Sequence, residues 1–191
     1  PDAGRMVTTA RMVAVGATDI LDTYLSQEKY KGTEVRYMSH SLSTKPGSNL
    51  SRLIIHQGMA AFADNRSGNG GEMEGMYNFQ YGWLYNWRLY GGRLRVTAGA
   101  TADATAGFLY NTHGSNNPAQ ARLNINITPT ASAAYTLRWG NTPLTISYEL
   151  AMPLAGMMFS PNYGQSYYEI FSRGNYDHNI VPTYFGNAPS M

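Results

Sequence analysis

The sequence predicts an all-β fold: an antiparallel up-and-down sheet of long strands that closes into a transmembrane β-barrel. Three observations support this prediction, namely a long alternation of apolar and polar side chains, connections that alternate between short and long, and aromatic residues near the predicted strand ends. An alternation with a period of two is typical of extended strands, because successive side chains point to opposite faces of a sheet.

The clearest alternation covers residues 122–139. Its apolar face carries Leu123, Ile125, Ile127, Pro129, Ala131, Ala133, Tyr135, Leu137 and Trp139. Its more polar face carries Arg122, Asn124, Asn126, Thr128, Thr130, Ser132, Ala134, Thr136 and Arg138. Such a strand is roughly 55–60 Å long, whereas a tilted strand needs only about 9–11 residues to cross the hydrocarbon of a membrane. This length favours a membrane-spanning strand with one face towards lipid and the other face towards a lumen.

Length and composition limit the alternatives. The 191 residues correspond to one domain, of which only 14% are charged, and the net charge of +2 gives no reason to expect a nucleic-acid partner. The longest nearly apolar run, residues 150–159, contains Pro153 and is too short for a membrane-spanning helix. Cysteine is absent, which excludes disulfides and thiolate metal sites, and no cofactor is expected.

The first three strands are predicted from weaker patterns. They cover residues 5–17, 32–45 and 50–64. The first strand is rather apolar on both faces, so its inward face stays open. For the third strand we expect a lipid face formed by Leu53, Ile55, Met59, Ala61 and Ala63. Its opposite face, which we assign to the lumen, carries Arg52, His56 and Gly58.

Four further strands are predicted, and residues 180–191 are the candidate for the start of an eighth. The four cover residues 73–90, 93–110, 122–139 and 144–154. The charged residues assigned to the lumen are Arg52, Glu74, Arg88, Arg93, Arg95, Asp103, Arg122, Arg138 and Glu149. Side chains fill the interior of small barrels, so we expect these charges to pair across a closed lumen, with an open channel as the alternative.

The connections between the strands alternate in length. The short ones lie near residues 46–49, 91–92 and 140–143, and the long ones near residues 18–31, 65–72, 111–120 and 156–179. Outer-membrane barrels have short periplasmic turns and long extracellular loops in this same order. The alternation therefore predicts a location in the bacterial outer membrane, with the N-terminus in the periplasm and the long loops outside the cell.

Aromatic residues near the strand ends predict two belts at the membrane surfaces. We place Trp87, Tyr90 and Trp139 in the periplasmic belt, and Tyr77, Phe108 and Tyr110 in the outer belt. The expected surroundings are outer-membrane lipid and lipopolysaccharide. The alternative is a soluble sandwich or lipocalin-like barrel, which would bury its apolar face and would not need such long strands.

Seven full strands leave two unpaired edges, whereas outer-membrane barrels usually have an even number of strands. We therefore expect that residues 1–191 form a single barrel domain that lacks its last strands. The complete barrel would have roughly 8–12 strands, supplied after Met191 or by a partner chain.

Residues 113–116 read His-Gly-Ser-Asn, which resembles the His-x-Ser-Asn run of outer-membrane phospholipases and lipid A deacylases. The resemblance implies a nucleophilic Ser115 with His113 as its base. Against this, Pro118 interrupts the strand pattern, and no acid or amide faces outward nearby to orient the imidazole. A polar extracellular loop is the favoured interpretation.

The long connection at residues 156–179 is the best candidate for binding a partner. Its candidate side chains are Tyr163, Tyr167, Tyr168, Phe171, Tyr176 and His178. Exposed aromatic groups interleaved with polar ones suit recognition of a protein or a glycan, whereas the alternative is a lid packed over the barrel mouth. A short helix is predicted at residues 165–172, ended by Gly174. Asp177 and His178 are too few for a metal site.

Several segments together resemble an uncharacterised family of outer-membrane β-barrel proteins from Bacteroides and its relatives. The segments are GATDILDTYL at 16–25, NNPAQA at 116–121, and residues 153–179 with SPNYGQSYYEIF at 160–171. The resemblance implies an outer-membrane barrel that continues beyond this chain, and it implies no activity. We therefore expect a non-enzymatic barrel that binds other outer-membrane proteins or lipoproteins through its loops. The alternatives are a narrow channel or uptake accessory, and a lipid hydrolase.

Overall fold

The computed structural model contains one antiparallel sheet with nine strands in the described part of the chain. The structure describes residues 4–22, 28–113, 118–140, 142–161, 166–167, 170, 172 and 179–185. The strands are β1 (Met6–Leu21), β2 (Lys29–Thr44), β3 (Leu50–Asp64), β4 (Gly71–Leu89), β5 (Leu94–Asn111), β6 (Ala119–Trp139), β7 (Thr142–Ala151), β8 (Ala155–Phe159) and β9 (Ile180–Tyr184). The predicted all-β, antiparallel up-and-down fold is confirmed.

Strand order follows chain order as far as β6, which then pairs with both β7 and β8, and β9 pairs with β8. Within the described residues β1 pairs with β2 alone and β9 with β8 alone, so the sheet is not closed into a barrel. β9 lies where an eighth strand was expected to begin. No helix in this part of the chain is long and apolar enough to cross a membrane.

β7 and β8 are two halves of one strand, separated by a bulge at residues 152–154. Thr130 pairs with Ala151 and Ile127 with Ala155, so three residue steps along β6 face four along its neighbour. The Leu154 N–H donates to the Ile127 carbonyl at 2.9 Å, which continues the ladder past the extra residue. Proline has no N–H to donate, and Pro153 accordingly lies in this bulge.

The predicted start of the last long connection, Gly156, is wrong, because residues 155–159 form β8. A glycine is needed there for close approach: a Cβ atom on Gly156 would lie 2.0 Å from the Ile125 carbonyl oxygen. The connection therefore begins after Phe159.

Cross-strand pairs fix the face of each side chain, because directly opposed residues share a face. We call the face that carries Asn78 the inner face and the face that carries Tyr77 the outer face. Asn78 pairs with Thr105, which pairs with Asn124, so the predicted polar faces of β4, β5 and β6 coincide. We also call the end with the connections at 22–28, 65–70, 112–118 and 160–179 the loop end, and the opposite end, with the short turns, the turn end.

The face assignment predicted for β3 is wrong. Leu53 pairs with Gly82 on the inner face and is 1% exposed, whereas Arg52 pairs with Trp83 on the outer face. Met59, Ala61 and Ala63 are likewise buried on the inner side. Apolar residues occupy neighbouring positions of β3, as in Ile54 and Ile55, so period two cannot separate its faces. Pairing with the clearly alternating β4 decides them.

The inner face is strongly concave. Asn111 of β5 donates from Nδ2 to the Tyr30 hydroxyl of β2 at 3.2 Å, although β3 and β4 lie between these strands. A flat sheet would hold strands three positions apart at about 14 Å. A buried cluster at the same end also joins β1 to β5, and its members are Ile20, Tyr30, Met59, Ala61, Ala63 and Leu109. The sheet therefore curls around its inner face.

Candidate functional site

A hydrogen-bonded polar network lies in the middle of the inner face. Asp103 accepts from Asn126 Nδ2 at 3.2 Å and, through its other oxygen, from the Thr128 hydroxyl. Thr183 of β9 donates to Asn126 Oδ1 at 3.0 Å. Asn126 is 1% exposed, and a buried amide or carboxylate is tolerated when its polar atoms are bonded. The network therefore ties β5, β6 and β9 together and fills this part of the concave face.

Two ion pairs lie on the inner face towards the loop end. Arg122 of β6 contacts Glu74 of β4 through Nη1 and Oε1, and the Glu74 side chain is 4% exposed. Arg36 Nε lies 2.7 Å from Glu34 Oε1 within β2, where the side chains are 37% and 16% exposed. The first pair connects strands that are not neighbours, so it also holds the curl of the sheet.

Carboxyl groups gather at the loop end of the inner face. Glu72 is 2% exposed, accepts from Asn111 Nδ2 at 3.4 Å, and lies beside Asp22. At the turn end, Arg88 and Arg95 are directly opposed on the same face. Glu72 and Asp22 therefore lie together at the loop end of the inner face, and Arg88 and Arg95 lie together at its turn end.

Most of the charged residues predicted for the lumen lie on the inner face. They are Glu74, Arg88, Arg95, Asp103, Arg122, Arg138 and Glu149. Arg93 follows the one-turn 3₁₀ helix Tyr90–Gly92 that connects β4 and β5. Arg52 lies on the outer face, opposite to its prediction. Of these residues the structure pairs Glu74 with Arg122, and it bonds Asp103 to neutral donors.

Five of the six aromatic residues predicted for the belts have described side chains, and these lie on or beside the outer face and are exposed. Their exposed fractions are 48% for Tyr77, 43% for Trp87, 76% for Tyr90, 44% for Phe108 and 39% for Tyr110. Trp139 is the last residue of β6, and its side chain is outside the described residues.

The outer face also carries polar groups that sequence reasoning missed. His56 Nδ1 lies 2.6 Å from the Tyr77 hydroxyl, with the Phe79 ring centroid 5.1 Å away. His56 was assigned to the lumen together with Arg52. The signal that corrects both is the clear alternation of β4, which determines the faces of β3 once the register between these strands is known.

His113 packs against the backbone at the loop end. The Gly71 N–H donates to its Nδ1 at 3.3 Å, and the Thr112 hydroxyl lies 3.0 Å from the same nitrogen. In a neutral ring that accepts at Nδ1 the proton is on Nε2, which is the reverse of the tautomer that an acid-oriented catalytic base uses. This geometry favours a structural role for the imidazole. Ser115 lies outside the described residues.

In the last long connection, Tyr167 is bonded to the sheet and Ile170 is buried. The Tyr167 hydroxyl accepts from the Ala121 N–H at 2.5 Å; burial raises the pKa of this phenol, and the hydrogen bond acts in the opposite direction. Ile170 is fully buried, and its N–H donates to the Ser166 carbonyl at 3.2 Å, as in one helical turn. The remaining binding candidates, Tyr163, Tyr168, Phe171, Tyr176 and His178, lie outside the described residues. The positions of Tyr167 and Ile170 agree with the lid alternative for these two residues, whereas binding by the other candidates stays a prediction.

Within the described ranges, no three histidine or acidic side chains are grouped as a bound metal ion would require.

A comparison with known families gave a match to the model described as a protein of unknown function (DUF3316), over residues 2–191. No curated protein and no solved structure matches the chain significantly. Because the match covers nearly every residue, the chain belongs to the DUF3316 family.

Proposed function

We propose that this chain is a non-enzymatic transmembrane β-barrel protein of the bacterial outer membrane, which acts as a structural and binding component of a surface assembly through its loop end. The main support for the proposal is that burial in the sheet is the reverse of that in a soluble protein: apolar side chains are exposed and polar side chains are buried. Ile125 and Ile127 are 59% and 56% exposed, whereas Asn126 between them is 1% exposed. A water-soluble sheet buries its apolar face, but a sheet surrounded by lipid presents that face outward.

Strand length and curvature support the same proposal. β4 has 19 residues and β6 has 21, about twice the span that a tilted strand needs to cross the hydrocarbon. The contact between Tyr30 and Asn111 shows how tightly the sheet curls at the loop end. Closure would require further strand pairing along β1 and β9, because an open edge exposes unpaired N–H and C=O groups to lipid.

The inner face favours a filled interior over a channel. Asp103, Asn126 and Thr128 are bonded to one another and buried, and Glu74 is bonded to Arg122. Small barrels filled by such side chains leave no continuous water path. A structural or binding role therefore fits the described interior better than ion conduction does.

The membrane proposal is tested by expressing the protein in a Gram-negative host and fractionating the envelope. We expect the protein in the detergent-soluble outer-membrane fraction, with different gel mobility before and after boiling. Recovery of a folded protein from the aqueous fraction without detergent would refute the proposal.

The binding role is tested by deleting residues 165–178. We expect the deletion to abolish co-purification of partner proteins while the barrel stays heat-modifiable on a gel. Unchanged co-purification would argue against the loop end as the binding surface.

Planar-bilayer recording tests the alternative that the protein is a channel. We expect no stable conductance steps, because such steps are incompatible with a filled interior.

A further inference from the structure

We infer that the outer face at the turn end holds a binding site for the phosphate headgroup of an anionic phospholipid, an inference that rests on the proposed membrane location. The site is a cleft of about 320 Å³ lined by residues of β2, β3 and β4, of the turn between β2 and β3, and by Arg5 just before β1. We call it the basic cleft, and its polar lining comprises Arg5, Ser43, Lys45, Ser48 and Arg52.

Three side-chain groups of the basic cleft have no hydrogen-bond partner among the described residues. Arg5 Nε, Arg52 Nε and Ser43 Oγ are each buried and unbonded within the described part of the chain. Ser43 is only 7% exposed, so solvent reaches it poorly. Buried donors that stay unbonded are costly. Three such groups in one cleft suggest a ligand that supplies several acceptor oxygens at once.

The charges of the basic cleft point to an anion. Arg5, Lys45 and Arg52 contribute cationic groups, and none of the described residues that line the cleft is acidic. None of the three forms an ion pair with the other described residues. A guanidinium group binds phosphate oxygens through a planar pair of N–H donors, and an ammonium group adds a point charge. A phosphate group matches both the donors and the charge.

The position of the cleft selects a lipid as the source of that phosphate. Arg52 pairs across the ladder with Trp83, and Tyr81 and Trp83 also line the cleft, with their ring centroids 4.9 Å apart in an edge-on arrangement. Tyrosine and tryptophan are enriched where membrane meets water, and basic residues near that level attract anionic headgroups. Leu50, which is 49% exposed, also lines the cleft, and Ile54 lies next along the outer face, opposite Tyr81. Acyl chains can lie along this surface while the headgroup occupies the cleft.

Native mass spectrometry of the full chain in a non-ionic detergent tests the site with three probes: dioleoyl phosphatidylglycerol, dioleoyl phosphatidylcholine and inorganic phosphate. We expect saturable binding of phosphatidylglycerol, about tenfold tighter than that of the zwitterionic lipid. Arg52→Gln should weaken phosphatidylglycerol binding about tenfold. The matched control is Arg66→Gln, which removes the same charge from an exposed loop at the opposite end.

Unchanged phosphatidylglycerol binding in Arg52→Gln would overturn the inference, as would equal binding of the two lipids. Saturation by inorganic phosphate without any lipid preference would identify the cleft as a site for free phosphate and would also overturn it. If Arg52→Gln fails to fold, Lys45→Gln replaces it, because Lys45 is exposed in the turn. Loss of heat-modifiability in the unmodified protein would refute the membrane proposal itself, whereas a heat-modifiable protein without lipid preference refutes only the cleft.

Discussion

The side-chain amide of Asn111 donates to the phenol of Tyr30 at 3.2 Å, which brings β5 into contact with β2 across the concave inner face. The same end of this face holds the Glu74–Arg122 ion pair, which joins β4 to β6. Such contacts between strands that are not neighbours give the curl a defined geometry. They also make the curl testable by substitution.

Tyr30→Phe should lower the free energy of unfolding by about 1–2 kcal/mol, because the buried amide of Asn111 loses an acceptor. The check is guanidinium unfolding in detergent, followed by tryptophan fluorescence. Tyr37→Phe is the matched control: Tyr37 is 45% exposed on the outer face, and we expect a change below about 0.5 kcal/mol. Equal effects of the two substitutions would contradict a contact across the concave face.

Glu74→Gln should lower the free energy of unfolding by about 1–3 kcal/mol, since it removes the charge that compensates a partly buried Arg122. The comparison is Glu34→Gln, which breaks the more exposed pair with Arg36 and should cost less than about 1 kcal/mol. A double-mutant cycle that pairs Glu74→Gln with Arg122→Gln measures the coupling. A coupling near zero would mean that the ion pair does not contribute to the curl.

Gly82→Ala should destabilise the sheet by about 1–3 kcal/mol, because a Cβ atom there would lie 2.1 Å from the Ala100 carbonyl oxygen. Gly58→Ala is its control: nothing lies within 4 Å of the added methyl group, so we expect no loss of stability. Thermal unfolding followed by circular dichroism measures both. A tolerated alanine at position 82 would show that β4 and β5 do not approach so closely.

Ile127→Lys should make folding into lipid vesicles less favourable by about 2–4 kcal/mol if the outer face contacts the bilayer. Leu144→Lys, near the turn end, should cost only about 0–1 kcal/mol because its charge lies at the membrane surface. Both side chains are exposed, at 56% and 47%, so a water-soluble sheet would tolerate the two substitutions equally. Equal costs in vesicles would therefore count against the membrane proposal.

Residue patterns alone predicted which way the side chains point wherever one face of a strand differs chemically from the other. The faces of β4, β5 and β6 follow from their alternation, and most of the inward charges follow with them. β3 could not be oriented in this way because it is apolar on neighbouring positions. β8 was missed because residues 156–159 show no polar alternation and come soon after Pro153.

The sequence did not predict the basic cleft, and the reason is different. Arg5 directly precedes β1, Ser43 lies in β2 and Arg52 in β3, and they meet only through the registers of β1 with β2 and of β2 with β3. A change of one residue in the β3 register would have put Arg52 on the inner face, where it was first expected. Pairing geometry, which no single strand encodes, therefore determines the site.

The bulge at residues 152–154 is a place where this part of the chain can change in length. Before it, odd-numbered residues such as Glu149 face inward, and beyond it even-numbered residues such as Met158 do. Deleting one residue from the bulge would leave a regular ladder in which Ala155 still opposes Ile127, so Met157 and Phe159 would keep their outward face. A single-residue deletion at the bulge therefore preserves the faces of the strand, whereas a single-residue deletion within β8 would invert the positions beyond it.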